Sequence, residues 1–318
     1  MVSRRDWLRI SAGAGAALGL NPRILEALQS QEVITRAIPS SGGRERLPVV
    51  GLGGANTYSR VARAEDFGTI GGVLRALVDG GGTVLDTAAG YGASEEVSGR
   101  VAEELGIDER IWWATKVNVA GRGGTPADPA AALAQIERSF ERLRIPAIDL
   151  IQVHNMGDPP TQLGVLERLK AAGRIRYSGI TTTSARQYPV LADVMRNEPI
   201  DFIGIDYAVD NRGPEDVILP LAIERRIGVI VYLPFGRSRM WARIGDRPVP
   251  DWAAEFDAHT WAQFMLKFVI AHPAITVATP GTSDPGHMTD NLAAGRGRLP
   301  NAEQLGRMVE LVGSLPSA

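Results

Sequence analysis

GTVLDTAAGYGASEEVSGRVAEELG, residues 82–106, carries a strand, a loop and a helix in direct succession. The apolar run GTVLD (82–86) stops on a carboxylate, Asp86, for which a buried strand has little use. Tyr91 follows five positions later between Gly90 and Gly92, neighbours that give it little to pack against. SEEVSGRVAEELG (94–106) then changes to a helical pattern, with Ser94 expected as the N-cap and Gly106 as the stop. A strand that ends on polar chemistry and returns through a helix is one β/α unit.

The unit recurs along the chain. Strand-like runs are LPVVGLG (47–53), GTVLD, IWWATK (111–116), IDLIQVH (148–154), RIRYSGIT (174–181), DFIGID (201–206), IGVIVYLP (227–234) and AITVAT (274–279). Helical patterns lie between them. In DPAAALAQIERSFERL (128–143), Leu133, Ile136, Phe140 and Leu143 share one face, Asp128 caps the start and Pro129 occupies the first turn. Eight strands alternating with helices predict an α/β fold, a (β/α)8 TIM barrel. A doubly wound sheet would show fewer strands and a glycine-rich first turn, and GLGGAN (51–56) lacks the G-x-G-x-x-G spacing. VITRAIPSSGGRERLPVV (33–50) reads as a β-hairpin leading into the first barrel strand. A single C-terminal helix is expected after Pro300.

Composition narrows the function classes. Hydrophobic residues make up 44% and charged residues 22% of the 318, ordinary values for a globular protein. A net charge of -2 with scattered arginines provides no basic stripe for nucleic acid. The absence of cysteine excludes disulfides, thiolate metal sites and cysteine nucleophiles, and it suits an oxidising compartment. His259, His272 and His287 lie at no ligand-like spacing, so no metal is expected. Residues 31–318 run without a linker and are read as the barrel.

Residues 1–30 read differently. SRRDWLR (3–9) sets Arg4 and Arg5 beside Trp7 and Leu8, and ISAGAGAALGL (10–20) follows as an apolar, small-residue run. That run is too short to span a bilayer and suits a signal h-region. The order resembles a twin-arginine signal, which implies the twin-arginine export machinery as a partner and a periplasmic or cell-envelope location. If the leader does not function, the protein stays cytoplasmic. No other stretch is expected to cross a membrane.

Barrel active sites gather at the carboxyl ends of the strands. There Asp86 ends the second strand, Lys116 the third and His154 the fourth, with Tyr91 in the loop after the second. Lys116 is one of three lysines in an arginine-rich chain, which suggests that arginine would not serve at this position. Together the four make a proton-transfer device. A phenol gives up its proton weakly, a neighbouring ammonium favours phenolate, and a carboxylate keeps the ammonium charged and placed. A histidine can orient a carbonyl oxygen, and the carbonyl can then take a hydride at carbon and a proton at oxygen.

VLDTAAGYG (84–92), WATK (113–116) and DLIQVH (149–154), in this order, resemble the aldo-keto reductases from about Gln31 to the C-terminus. The leader, AGRIRYSGIT (172–181) and TPGTSDPGHMTDNLAAG (279–295) are similar to the exported branch of that family. The resemblance implies a reductase of carbonyl substrates, or an alcohol dehydrogenase. Tyr91 would be its general acid/base, Asp86 and Lys116 would tune it, and His154 would direct the substrate. It also implies NADPH, with NADH the alternative, bound extended across the barrel mouth.

The cofactor contacts so implied fall on Gly54, Ala55, Thr181, Thr182, Gly204, Tyr232, Leu233, Phe235, Gly236, Pro280, Gly281, Thr282, Ser283, His287 and Asn291. Gly281 and His287 stand where many NADPH-dependent members carry lysine and arginine, so the choice between NADP and NAD stays open. Thr181 and Thr182 replace a usual Ser-Asn pair, and Gly204 replaces a usual glutamine. Tyr232 matches a tyrosine that stacks on nicotinamide, and packing within the barrel is an equal reading.

Substrate contacts are expected on the variable loops, at Asn56 and Tyr58, Asn118, Asn155 and Met156, and within FGRSRMWARIGDRPVPDW (235–252). Met156 and Trp241 are candidates for an apolar pocket. Two other readings stay open: a Schiff-base aldolase using Lys116, and a cofactor-binding sensor with little turnover.

Overall fold

The computed structural model describes residues 31–120 and 125–317, and the expected leader lies outside them. A hairpin comes first, with β1 (Thr35–Ala37) antiparallel to β2 (Arg46–Pro48). Eight parallel strands follow in sequence order: β3 (Leu52–Gly53), β4 (Val84–Asp86), β5 (Trp112–Val117), β6 (Ile148–Val153), β7 (Ile175–Thr182), β8 (Phe202–Asp206), β9 (Gly228–Tyr232) and β10 (Val277–Ala278). Parallel bridges Val50–Ala278 and Gly53–Gly281 join the last strand to the first. The sheet is therefore closed, a (β/α)8 barrel.

Helices return the chain after each strand. They are α1 (Thr57–Arg63), α2 (Phe67–Asp79), α3 (Ser94–Leu105), α4 (Pro129–Leu143), α5 (Pro159–Ala171), α6 (Tyr188–Asn197) and α7 (Ile218–Arg225). Next come α8 (Arg239–Ile244), α9 (Trp261–Ala271), α10 (Pro285–Ala293) and the terminal α11 (Ala302–Ser314). Among the described residues no helix is long and apolar enough to cross a membrane.

Local chemistry accounts for the helix ends. Gly106 adopts a left-handed conformation (φ 63°) that ends α3, and the Asp128 side chain accepts from Ala130 N–H ahead of Pro129 in α4. Three expectations shift. LPVVGLG divides: Leu47 and Pro48 belong to the hairpin, and only Leu52–Gly53 form the barrel strand. Ser94 is the first residue of α3, after Ala93 as cap, because its hydroxyl accepts from Thr87 and donates to the Gly54 carbonyl. Leu133 is 42% exposed, whereas Ile136, Phe140 and Leu143 are buried. The apolar face of α4 is narrower than its periodicity suggests.

Side chains pointing into the barrel form a core separate from the one beneath the helices. Val84, Trp112, Ala114, Leu150, Phe202, Ile230 and Val277 fill it, and Ile38 and Leu47 of the hairpin plug its lower end. Glu45 of the hairpin accepts from Trp112 Nε1 and Tyr177 OH, at 3.0 and 2.7 Å. Arg36 donates to the carbonyls of Ile270, His272 and Ile275 around the end of α9. The hairpin thus closes the amino-terminal end of the barrel and leaves the carboxyl end open for chemistry.

Gly99 sits inside α3 where it meets α4. A Cβ there would lie 2.4 Å from the Arg142 carbonyl oxygen and 2.6 Å from that of Leu143, both backbone atoms. Alanine would gain about 1 kcal/mol of helix propensity, against about 1–3 kcal/mol or more for overpacking against atoms that cannot rotate away. Gly99→Ala is therefore expected to lower stability in urea unfolding. A stabilised variant would show that the two helices do not meet so closely.

Candidate active site

The rim chemistry follows from strand register. Asp86 is the last residue of β4 and pairs with Ala114 on β5; Lys116 on β5 pairs with Gln152 on β6; His154 directly follows β6. Alternation along adjoining strands brings these groups to one end of the barrel. Tyr91 comes from the loop after β4, whose turn is closed by Tyr91 N–H donating to the Ala88 carbonyl at 2.9 Å. Gly92, in a left-handed conformation (φ 65°), completes that turn.

Lys116 and Asp86 form a nearly inaccessible ion pair, Nζ to Oδ2 2.5 Å, and Nζ also donates to the Thr87 carbonyl at 2.8 Å. The ammonium lies 5.1 Å from the centre of the Tyr91 ring, and the Tyr91 and His154 rings meet edge to face at 5.6 Å. Burial pushes Lys116 downward, but the charges of Asp86 and then Tyr91 outweigh it, so its pKa stands above the ordinary lysine value. Burial moves Asp86 upward against the pull of Lys116. His154 falls from 6.5 to about 4, first through burial and then through the charge of Lys116. The imidazole is neutral at pH 7, with one nitrogen free to donate.

A cavity of about 560 Å³ opens over Asp86, Tyr91 and His154. Of the residues singled out in the sequence, Gly54, Ala55, Asn56, Asn155, Thr181, Tyr232, Leu233, Phe235 and Gly281 line it. A second cavity of about 720 Å³ shares Thr57, Phe235, Ser238 and Gly281 with the first, so the two form one groove. Thr282, Ser283, His287 and Asn291 line the second cavity, and so does Trp241. Trp241 packs on Phe235, a residue common to both cavities, with ring centres 5.1 Å apart.

Several expected residues face elsewhere. Tyr58 is fully buried, its hydroxyl 2.8 Å from Ser98 Oγ, and packs α1 on α3. Asn118 braces the rim from behind: Nδ2 donates to the His154 carbonyl at 2.8 Å and Oδ1 accepts from Ala120 N–H. Thr182 spends its hydroxyl on Gln187, and the neighbouring Thr183 lines the cavity instead. Met156 packs on the outer core. Gly236 sits against Asp210, and a Cβ there would meet Oδ1 at 2.5 Å. Pro280 serves barrel closure, its carbonyl accepting from Gly53 N–H. At Gly204 the ring of Tyr232 fills the space of a side chain, 2.4 Å from an ideal Cβ.

Arg60 and Thr183 line the mouth, and Thr260, Trp261 and Asp290 the far cavity, without having stood out in the sequence; Arg237 joins the first group and Asp284 the second. Arg237 reaches the Thr183 carbonyl at 2.6 Å and Asp206 at 3.1 Å, partners distant in sequence. The Asp284 side chain caps α10 by accepting from His287 N–H at 3.0 Å. Asp290 accepts from Thr260 and Gln263, and its pKa is raised to about 6, chiefly by burial. Among the described residues no cluster of His, Asp and Glu is placed to hold a metal ion.

The sequence profile of the Aldo/keto reductase family matches residues 49–312. Aldo-keto reductase str7 of Strobilurus tenacellus is 26% identical over 265 residues, spanning 73% of this chain and 77% of that protein. The NADP(+) aldo-keto reductase yakc of Schizosaccharomyces pombe is 25% identical over 263 residues, with 78% and 76% covered. A crystal structure of an aldo-keto reductase from Klebsiella pneumoniae in complex with NADPH superposes with a TM-score of 0.70 at 26% identity, covering 89% of this chain and 95% of that one. A match of that extent, on a barrel whose rim carries the expected groups, makes this chain a member of the aldo/keto reductase family.

Proposed function

We propose that the protein reduces a small-molecule carbonyl compound with NADPH, or oxidises the corresponding alcohol, with NADH as the alternative cofactor. The observation that carries this reading is the buried Lys116–Asp86 pair set beside Tyr91 and a neutral His154 over one cavity. The groove also fits a long dinucleotide: it runs from Tyr91 to Asn291, with hydroxyls of Thr181, Thr282 and Ser283 along it. Those residues, with Phe235, Gly281 and His287, would hold the cofactor. The nicotinamide supplies hydride when bound.

Tyr91 would donate its hydroxyl proton to the carbonyl oxygen. Lys116, fixed by Asp86, stabilises the negative charge left on the phenol. His154, neutral, offers an N–H to the same oxygen and orients the carbonyl without competing as an acid. An aldolase reading asks Lys116 for a neutral, accessible amine. The buried ion pair and its raised pKa oppose that reading.

The twin-arginine leader motivates a second part of the proposal: the chain is exported already folded, into the periplasm or cell envelope. Replacing Arg4 and Arg5 together with lysine is expected to leave the protein in the cytoplasm on cell fractionation. An unchanged distribution would remove the export reading.

Nucleotide released from the purified protein, followed by fluorescence titration of NAD(P)H, reads binding directly. Tyr91→Phe is expected to keep that affinity and to lose at least about 100-fold in kcat on a carbonyl panel. No binding of either nucleotide would sink the reductase. Binding without turnover on the panel would favour the sensor.

The state of His154 can be read separately. Its folded pKa, about 4, lies below the unfolded 6.5, so the unfolded chain takes up a proton that the folded chain refuses. The stability this group contributes at neutral pH is lost as pH falls from 6.5 towards 4. Histidine NMR titration, assigned with His154→Gln, is expected to place the transition at the acid end of that window. An imidazole titrating near 6.5 would show that neither burial nor Lys116 lowers it.

A further inference from the structure

Asp86 has two carboxylate oxygens, and Lys116 takes only Oδ2. The other, Oδ1, accepts from Tyr232 OH at 3.2 Å, and Tyr232 OH accepts from Gln152 Nε2 at 2.9 Å. Because the amide donates to the phenol, the phenolic hydrogen is directed to Asp86. A one-way chain results, from Gln152 to Tyr232 to Asp86. Lys116 Nζ lies 4.9 Å from the centre of the Tyr232 ring and 5.1 Å from that of Tyr91, so the ammonium stands between two phenols. Gln152 is fully buried, and its Oε1 has no hydrogen-bond partner. Its amide is spent on this phenol at the expense of its own carbonyl oxygen.

The reach depends on a missing side chain. A Cβ on Gly204 would lie 2.4 Å from Cε2, 2.7 Å from Cζ and 2.6 Å from the hydroxyl of Tyr232. The phenol therefore crosses the barrel from β9 through the space that a residue on β8 would fill.

We propose that Tyr232 is a positioning residue that holds the free oxygen of Asp86, and through it the Lys116 ammonium beside Tyr91, in space that Gly204 leaves open. This rests on the reductase reading only for its kinetic consequence. A buried carboxylate oxygen without a donor is costly, and a donated hydrogen bond favours the ionised form. The titratable groups facing the pair are Tyr91 and Tyr232 from their rings and His154 from the next strand end. Burial and then the Asp86 charge hold Tyr232 well above the ordinary tyrosine pKa, which keeps it a donor.

Tyr232→Phe keeps the ring and removes the donor. Gly204→Ala keeps the donor and displaces the ring. In protein labelled with 13C at aspartate carboxyls, with Asp86 assigned by Asp86→Asn, both variants are expected to titrate Asp86 at higher pH than the wild type. In turnover, kcat should fall about tenfold, the size of one hydrogen bond to a charged group. KM for the carbonyl should stay unchanged, and the acid limb of the pH profile should move to higher pH.

An unchanged Asp86 titration in a folded Tyr232→Phe protein overturns the proposal. So does a variant that loses only nucleotide affinity and keeps the wild-type kcat, which would leave Tyr232 as a packing surface for the cofactor. If Gly204→Ala fails to fold by circular dichroism, the phenylalanine variant decides alone. If the wild type reduces no carbonyl, the reductase reading fails, and the carboxyl titration still decides this proposal.

Discussion

The Lys116–Asp86 contact organises the rest of the site. Two opposite charges out of water cost more than they return unless each is held by further donors and acceptors. Here the Thr87 carbonyl and the Tyr232 hydroxyl provide them. The same burial acts differently on groups close together. Lys116 has a carboxylate at 2.5 Å and keeps its proton, whereas His154 feels burial and the Lys116 charge, both of which drive its proton away. The ion pair thus fixes a cation beside Tyr91, and burial together with that cation keeps the neighbouring imidazole neutral.

A pair of this kind needs rigid walls, and the barrel interior supplies them in layers. At the lower end Ile38 and Leu47 seal apolar residues; above them the interior turns polar at Asp86, Lys116 and Gln152. Large rings are accommodated by glycines on the adjoining strands. Phe202 lies against Gly228, where a Cβ would meet its ring at 2.5 Å, and Tyr232 lies against Gly204 in the same way. Volume is conserved across strands rather than within them.

The fold was legible because it is written in repeated local patterns. All eight barrel strands coincide with the apolar runs, β5 and β7 extending one residue past theirs, and Asp86, Lys116 and His154 sit at run ends, where register must align them. What could not be read depends on partners far apart in the chain. Tyr58 and Asn118 follow barrel strands just as Asn56 and Asn155 do, yet Ser98 and the His154 carbonyl turn the first two away from the cavity. Leu133 has the right helical phase and the wrong neighbours. Gly204 read only as the replacement of a usual glutamine, because its meaning lies in a ring 28 residues away on the next strand. Single-residue reasoning has no access to such exchanges.

The groove is chemically uneven along its length. Its end at Tyr91 holds a buried cation whose charge is fixed by an aspartate. At its far end the lining carries Asp284 and Asp290, with His287 as the basic side chain. Asp284 already satisfies the first turn of α10, and Asp290 is engaged by Thr260 and Gln263, so neither carboxylate is loose. What faces a ligand there includes the Ser283 hydroxyl, the Asn291 amide and an imidazole. A phosphate held by such donors is recognised by hydrogen-bond geometry more than by net charge. Lysine or arginine at His287 would change this end of the groove and leave the Lys116–Asp86 pair beside Tyr91 untouched. The two ends of the groove are therefore separable, one built from the ends of β4–β6 and the other from the loop after β10 and α10.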